Sequence, residues 1–170
     1  AVSATDPDNV VWAPRNDGAT GIWHTRDRGR TWQASTGAPS GIVWPDLVFS
    51  FYKPLASDRV AAGVFYLYDK ADGRFYRSDD GGATWRHVSR LPAQGTAHNV
   101  NHRVLALPGR RGHLVVALQG EGLFRSADAG ESWTRLDGVT FAESVGAGAP
   151  PASGAAPTLW MLGRIAGDTD

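Results

Sequence analysis

Three aspartates at regular spacing are the residues whose type and pattern could do chemistry in this chain. Asp27, Asp80 and Asp128 lie 53 and 48 positions apart, each in the pattern Ser/Thr-x-Asp-x-Gly-x-Ser/Thr-Trp. A carboxylate in such a segment could serve catalysis, bind a metal ion, or close a turn by accepting hydrogen bonds from nearby backbone amides. Turn closure explains the whole pattern without any ligand, so we interpret these aspartates as structural.

The three segments, called Asp boxes below, share a hydroxyl residue, an aspartate, a glycine and a tryptophan. These fall at Thr25, Asp27, Gly29 and Trp32, at Ser78, Asp80, Gly82 and Trp85, and at Ser126, Asp128, Gly130 and Trp133. A short apolar segment precedes each box and another begins at its tryptophan. Each box is therefore predicted to be a hairpin turn in which the glycine takes a positive φ.

The elements that position the boxes follow from the repeat length, because a period of about 50 residues matches one four-stranded propeller blade. The predicted fold class is all-β, a β-propeller of about three and a half such blades. We place blade one at about residues 1–36 without its first strand, blade two at 46–90, blade three at 100–137 and a half blade at 139–170. Strands are predicted at residues 9–13, 47–52, 60–68, 103–107, 113–118, 141–145 and 158–163.

The composition narrows the possible partners. The 17 basic and 17 acidic side chains cancel without a basic cluster, so we predict no nucleic-acid partner. Apolar runs such as residues 60–67 end far short of the roughly 20 residues of a membrane span, and we predict no membrane contact. The absence of cysteine excludes disulfides and leaves the compartment open. We expect any export signal to have been removed or to lie on upstream sequence.

The face opposite the boxes is the expected place for a ligand, because it carries the loops that join the blades. Sugar rings stack on aromatic side chains and their hydroxyls bind polar ones, which favours two of these loops. The predicted substrate-binding residues are Trp44, Asp46, His98, Asn99, Asn101 and His102. A buried Trp44 that anchors its loop explains that residue equally well. His98 and His102 are spaced for a metal but lack a third ligand, so we predict no metal site. The sequence contains no phosphate-cradling glycine motif and no dinucleotide fingerprint, so we predict no cofactor.

The sequence between the boxes resembles one particular family. The segments VVWAP, SDRVAAGVFYLYDKADGRFYRSDDGGATW, GHLVVALQGEGLFRSADAGESW and PTLWMLGRIAG occur in this order along the chain. Their content and order are similar to the second, C-terminal propeller of the glycoside hydrolase family 74 xyloglucanases. The resemblance implies that the chain is part of a seven-bladed propeller in an enzyme that has two of them.

The resemblance also implies an activity that this chain does not complete. Family 74 enzymes cut the β-1,4-glucan backbone of xyloglucan with inversion, using one aspartate from each propeller. No aspartate in this chain matches either motif, so we predict no catalytic residue here. We expect the chain to form one wall of the substrate cleft of a secreted enzyme and to be inactive by itself. The expected partners are the polysaccharide and either the rest of the propeller or a second copy that completes the ring. The alternative is a non-catalytic propeller module, sortilin-like or sialidase-like, that binds protein or glycan.

Overall fold

The computed structural model describes residues 1–14, 21–40, 42, 52–95, 100–149, 152 and 155–167. These residues contain thirteen β-strands and no helix, which confirms the all-β prediction. The strands form four antiparallel sheets that follow one another along the chain. Among the described residues there is no helix long and apolar enough to span a bilayer.

The first sheet, blade 1, consists of β1 (Val10–Trp12), β2 (Trp23–Thr25) and β3 (Gln33–Ala34), in that spatial order. Val2 forms an antiparallel bridge with Val10, and the Ala1 carbonyl accepts a hydrogen bond from the Val11 amide at 2.8 Å. Residues 1–3 therefore lie beside β1, on the side where a first strand of the blade is placed.

Blade 2 is a complete four-stranded sheet of β4 (Leu55–Ser57), β5 (Phe65–Asp69), β6 (Arg74–Ser78) and β7 (Arg86–Arg90), with consecutive strands paired. Every residue of β5 is buried, whereas both ends of β7 are exposed. The sheet thus runs from a buried middle to a solvent-facing outer edge.

In blade 2, the strands differ from two of the predicted ones. Residues 47–51 of the predicted 47–52 strand lie outside the described residues, and the strand that pairs with β5 is β4. The strand predicted at 60–68 begins only at Phe65. The reason is that the Asp58 carboxylate accepts hydrogen bonds from the amides of Val60 and Ala61, both at 2.8 Å, and holds this stretch in a turn.

Blade 3 repeats this order with β8 (Arg103–Ala106), β9 (Leu114–Ala117), β10 (Leu123–Ser126) and β11 (Thr134–Arg135). The last sheet, blade 4, is a hairpin of two long strands, β12 (Val139–Ala147) and β13 (Leu159–Ile165). Strand β12 contains two irregularities in its pairing with β13.

The hydrophobic core lies between the blades, because the middle strands are buried on both faces. Phe65 and Leu67 of β5 pack toward blade 1, while Tyr66 and Tyr68, on the other face of the same strand, pack toward blade 3. In β9 the same alternation sends Leu114 and Val116 toward blade 2, and Val115 and Ala117 toward blade 4. Face-to-face packing of twisted sheets in chain order is the arrangement of propeller blades.

Candidate functional site

The Asp80 carboxylate closes its turn through three hydrogen bonds. Ser78 Oγ and the Thr84 amide donate to Oδ1, both at 2.9 Å, and the Thr84 hydroxyl donates to Oδ2 at 2.6 Å. Asp27 and Asp128 accept the equivalent bonds in their own boxes. Burial opposes ionisation of Asp80, but the hydrogen bonds prevail and hold its pKa below the usual value. Both oxygens of this carboxylate thus serve the turn.

The boxes also tie each blade to the one before it. Ser35 Oγ of blade 1 donates to the Gly82 carbonyl of the second box at 2.5 Å. Ser89 Oγ of blade 2 donates in the same way to the Gly130 carbonyl of the third box, and the indole N–H of Trp133 donates to Ser89 Oγ at 2.9 Å. The side of the sheets that carries the boxes, here called the box face, is therefore built from scaffold contacts.

The opposite side, here called the loop face, carries the connections from β5 to β6, from β9 to β10 and between successive blades. Of the six predicted substrate-binding residues, Trp44, Asp46, His98 and Asn99 lie outside the described residues. Asn101 and His102 are described, and they lie immediately before β8. The structure gives these two neighbours different surroundings.

His102 is fully buried between blades 2 and 3. Its ring makes edge contacts with Tyr52 at a centroid distance of 4.1 Å and with Tyr68 at 4.8 Å. Burial, together with the smaller effect of the positive charge of Lys70, lowers the pKa of His102 to about 3. We predicted that this side chain contacts sugar, but its position inside the interface gives it a packing role.

Asn101 points to a partly exposed carboxylate. Its Nδ2 donates to Glu143 Oε1 at 2.5 Å, and Gln119 Nε2 donates to Glu143 Oε2 at 2.8 Å. The three side chains come from the loop before β8, the β9–β10 connection and strand β12, so they join blades 3 and 4 on the loop face. This group, called the amide–carboxylate cluster below, is the polar site that the structure builds around a predicted residue.

Sequence reasoning did not single out Gln119 or Glu143. Glu143 lies within a predicted strand, where a charged residue has no distinguishing pattern. The pairing of β12 with β13 slips between Ala142 and Ser144, which makes Glu143 the extra residue of a β-bulge. Bulges re-aim side chains, and no sequence signal in this segment marks one.

Two charged groups, one at the end of β5 and one just after it, lie in the protein interior near this face. Burial raises the pKa of Asp69 and lowers the pKa of Lys70, so both are driven toward their neutral forms. The Lys70 ammonium lies 5.8 Å from the centre of the Tyr52 ring. Within the described part of the chain, no group of three or more His, Cys, Asp or Glu side chains could hold a metal ion.

Sheets stacked in chain order, with an Asp-box turn between the last two strands of each of the first three, define a series of β-propeller blades of the Asp-box type. The family model described as BNR/Asp-box repeat matches residues 76–87, which contain the second box. Beyond this shared repeat, the chain is similar over nearly its whole length to the xyloglucanases of glycoside hydrolase family 74.

The similarity is consistent between sequence and structure. A xyloglucanase of Acetivibrio thermocellus is 32% identical over 162 residues, 95% of this chain and 17% of that enzyme. An oligoxyloglucan-reducing end-specific xyloglucanase of Emericella nidulans is 30% identical over 98% of this chain and 19% of its own length. The crystal structure of the family 74 xyloglucanase from Xanthomonas campestris matches with a TM-score of 0.70 and 30% identity, covering 95% of this chain and 21% of that one.

These comparisons confirm the resemblance and the propeller fold inferred from the Asp boxes and their linking segments. The chain spans only about a fifth of the length of these relatives.

Proposed function

We propose that this chain is part of a secreted glycoside hydrolase that acts on xyloglucan-type β-1,4-glucan, and that it forms one wall of the substrate cleft. The observation that carries the proposal is the similarity to family 74 xyloglucanases along 95% of the chain. Because the chain spans only 17% of the Acetivibrio enzyme, the activity is that of a larger assembly. The remaining blades of the same propeller complete it, or a second copy of this chain closes the ring.

The catalytic acids of this assembly lie outside the chain. An inverting glycosidase needs a general acid and a general base about 6.5–9.5 Å apart on either side of the scissile bond. The box aspartates of the described blades serve the scaffold instead. Besides the box residues, Asp58 accepts hydrogen bonds from the Gly112 amide and the Tyr66 hydroxyl, both at 2.8 Å. These contacts support a wall that binds substrate and leaves the chemistry to other blades.

The loop face is the side of the wall that meets the substrate. Asn101, Gln119 and Glu143 are partly exposed there, and amide and carboxylate groups are suited to sugar hydroxyls. On the box face, by contrast, the box aspartates and the Gly82 and Gly130 carbonyls are engaged in turn closure and in contacts between blades.

Affinity electrophoresis tests the proposal, with gels that contain xyloglucan, a soluble cellulose derivative or no glycan. We expect xyloglucan to retard the chain, and a reducing-end assay on the same preparation to detect no turnover. Robust hydrolysis would overturn the conclusion that the acids lie elsewhere. Unchanged mobility in both glycans would overturn the cleft-wall role and would favour the alternative, a non-catalytic propeller module that binds a protein.

A further inference from the structure

We infer that Glu143, held between Asn101 and Gln119, is the hydrogen-bonding anchor at which the loop face binds the hydroxyl groups of a sugar ring. This inference rests on the proposed function and assigns glycan binding to one carboxylate and its two amide neighbours. Three features support it: the contacts of the cluster, the backbone that aims it, and the acceptor positions that the carboxylate leaves exposed.

The contacts fix the carboxylate and leave it able to bind more. Asn101 Nδ2 donates to one oxygen at 2.5 Å and Gln119 Nε2 to the other at 2.8 Å. A carboxylate offers about four acceptor positions, so two amide donors occupy only half of them. Glu143 is partly exposed, which leaves the remaining positions within reach of a ligand. The amides thus hold a rigid acceptor for donors from solution.

The backbone under the cluster is irregular at two points. Glu143 is the extra residue of the β-bulge in β12. Gln119 has a φ of 46°, one of three positive values among the described non-glycine residues. The Gln119 and Ala142 main chains exchange two hydrogen bonds, at 2.8 and 2.9 Å, that hold the two irregular points together. Such conformations are kept at functional sites, where the surrounding structure fixes them.

The chemistry of the cluster selects a ligand that presents hydrogen-bond donors. The partly exposed Glu143 carboxylate offers acceptor positions alone. Adjacent sugar hydroxyls supply donors to such an acceptor.

A neutral ligand suits this site better than a cation. Calcium takes about six to eight oxygen ligands and usually more than one carboxylate, whereas the cluster holds Glu143 as its one acidic residue. Two amide N–H donors already direct positive dipoles at that carboxylate. The chemistry therefore points to hydroxyl groups of an uncharged glycan.

The Glu143→Gln substitution tests the assignment because it removes the charge and keeps the shape. Rotation of the Asn101 side-chain amide would turn Oδ1 toward the new amide and replace the lost hydrogen bond, so the variant should fold. Glu131→Gln is the matched control. Glu131 is an exposed residue of the third box, bound to Arg86 at 2.8 Å, and lies on the opposite face. Thermal melting of the three proteins verifies that each is folded.

Affinity electrophoresis over a series of xyloglucan concentrations gives a dissociation constant for each protein. We expect Glu143→Gln to bind about tenfold more weakly than the wild type, the effect of losing one charge-assisted hydrogen bond, and Glu131→Gln to bind like the wild type. Equal binding by both variants would overturn the inference and leave the proposed function standing. The wild type could instead bind another glycan and not xyloglucan, with that binding weakened only in Glu143→Gln. This result would overturn the proposed substrate and keep the inference.

Two further outcomes also decide the question. A wild type that binds none of the glycans overturns both proposals. A calcium-dependent rise in melting temperature that Glu143→Gln abolishes, without any change in glycan binding, would assign the cluster to a cation and overturn the sugar-binding role.

Discussion

The ring of His102 lies at the loop-face end of the interface between blades 2 and 3. Both of its nitrogens are buried, and neither has a hydrogen-bond partner among the described residues. A charged imidazole in that place would lose its hydration without a compensating acceptor, which is why the pKa falls to about 3. The residue therefore acts as a neutral aromatic side chain between two tyrosines.

We expect this burial to make folding pH-dependent. A histidine whose folded pKa is depressed binds a proton mainly in the unfolded state, so the free energy of unfolding is lost as pH falls from the ordinary value of about 6.5 toward 3. The loss attributable to His102 should reach about 2 kcal/mol by about pH 5. His102→Phe removes this contribution and keeps a ring between Tyr52 and Tyr68.

Urea unfolding of both proteins from about pH 7.5 to pH 5 measures the difference. His24 and His113 also have lowered pKa values, and they remain in both proteins, so only the change in slope between the two curves reports on His102. Parallel curves would contradict the prediction.

Asp58 is a second residue whose surroundings allow a quantitative prediction. Its buried carboxylate accepts four hydrogen bonds, two from its own turn and one each from Tyr66 and the Gly112 amide of blade 3. Burial opposes its ionisation, but these donors hold the pKa below the usual value. Asp58→Asn replaces one acceptor oxygen by a donor, and we expect it to lower the free energy of unfolding by about 2–4 kcal/mol.

Asp79→Asn provides the comparison for Asp58. Asp79 is exposed and forms a surface ion pair with Arg77, so its loss should cost less than about 1 kcal/mol. Chemical unfolding at neutral pH compares the two variants. Equal losses would mean that the contact between blades 2 and 3 contributes nothing beyond an ordinary surface pair.

At the scale of the turn, one of the positions at which the three boxes differ has an unusual backbone conformation. The residue before the conserved glycine has a positive φ in all of them, and it is Arg28, Gly81 or Ala129. A side chain is therefore tolerated in two boxes. In the second, an added Cβ on Gly81 would lie 2.9 Å from the buried Asn9 Oδ1 and 2.6 Å from the Arg26 guanidinium.

Gly81→Ala should consequently destabilise the protein by about 1–3 kcal/mol, from the left-handed backbone and the crowding of Asn9. The reverse change at the equivalent position, Ala129→Gly, should be neutral or stabilising by up to about 1 kcal/mol, because it relieves a positive φ. Melting temperatures of the two variants give the answer. A stable Gly81→Ala protein would show that Asn9 moves aside freely.

The strands and turns were largely predictable because the local sequence of each Asp box determines its hairpin. The spacing from hydroxyl residue to tryptophan specifies a hairpin, and the distance between boxes specifies a blade, without reference to the rest of the chain. Prediction failed where a side chain competes for the backbone amides of an apolar segment. The apolar stretch after Asp58 reads as strand, but the carboxylate of that residue captures the amides of Val60 and Ala61.

The candidate site was less predictable, because it depends on which loops meet. Asn101 was predicted from its residue type and loop position. The structure adds its partner Glu143, 42 positions further along the chain, and Gln119, which donates to the same carboxylate. A β-bulge and a positive φ at a glutamine determine that meeting. Neither has a sequence signature, since both are imposed by the packing of blade 4 on blade 3.

Across the whole molecule, the two terminal sheets expose apolar surface that the inner blades bury. In β13, Trp160, Leu162 and Ile165 are 61%, 66% and 52% exposed. Among the described strands, β13 pairs only with β12, on one of its two edges. At the other end, Trp12 is 48% exposed beside Trp32. Unpaired edges with apolar faces favour association with further β-structure, which we propose to be the remaining blades or a second copy.

Isolated in solution, the chain should therefore associate, and the association should depend on blade 4. Sedimentation velocity over a range of concentrations should give a sedimentation coefficient that rises with concentration for the wild type. The double variant Trp160→Thr, Leu162→Thr should associate about tenfold more weakly, because it removes apolar area from the contact. Val60→Thr is the control, since Val60 is 44% exposed on a turn of blade 2, away from this sheet. A wild type that stays monomeric at every concentration would exclude closure by a second copy and leave further blades of the same polypeptide as the partner of this surface.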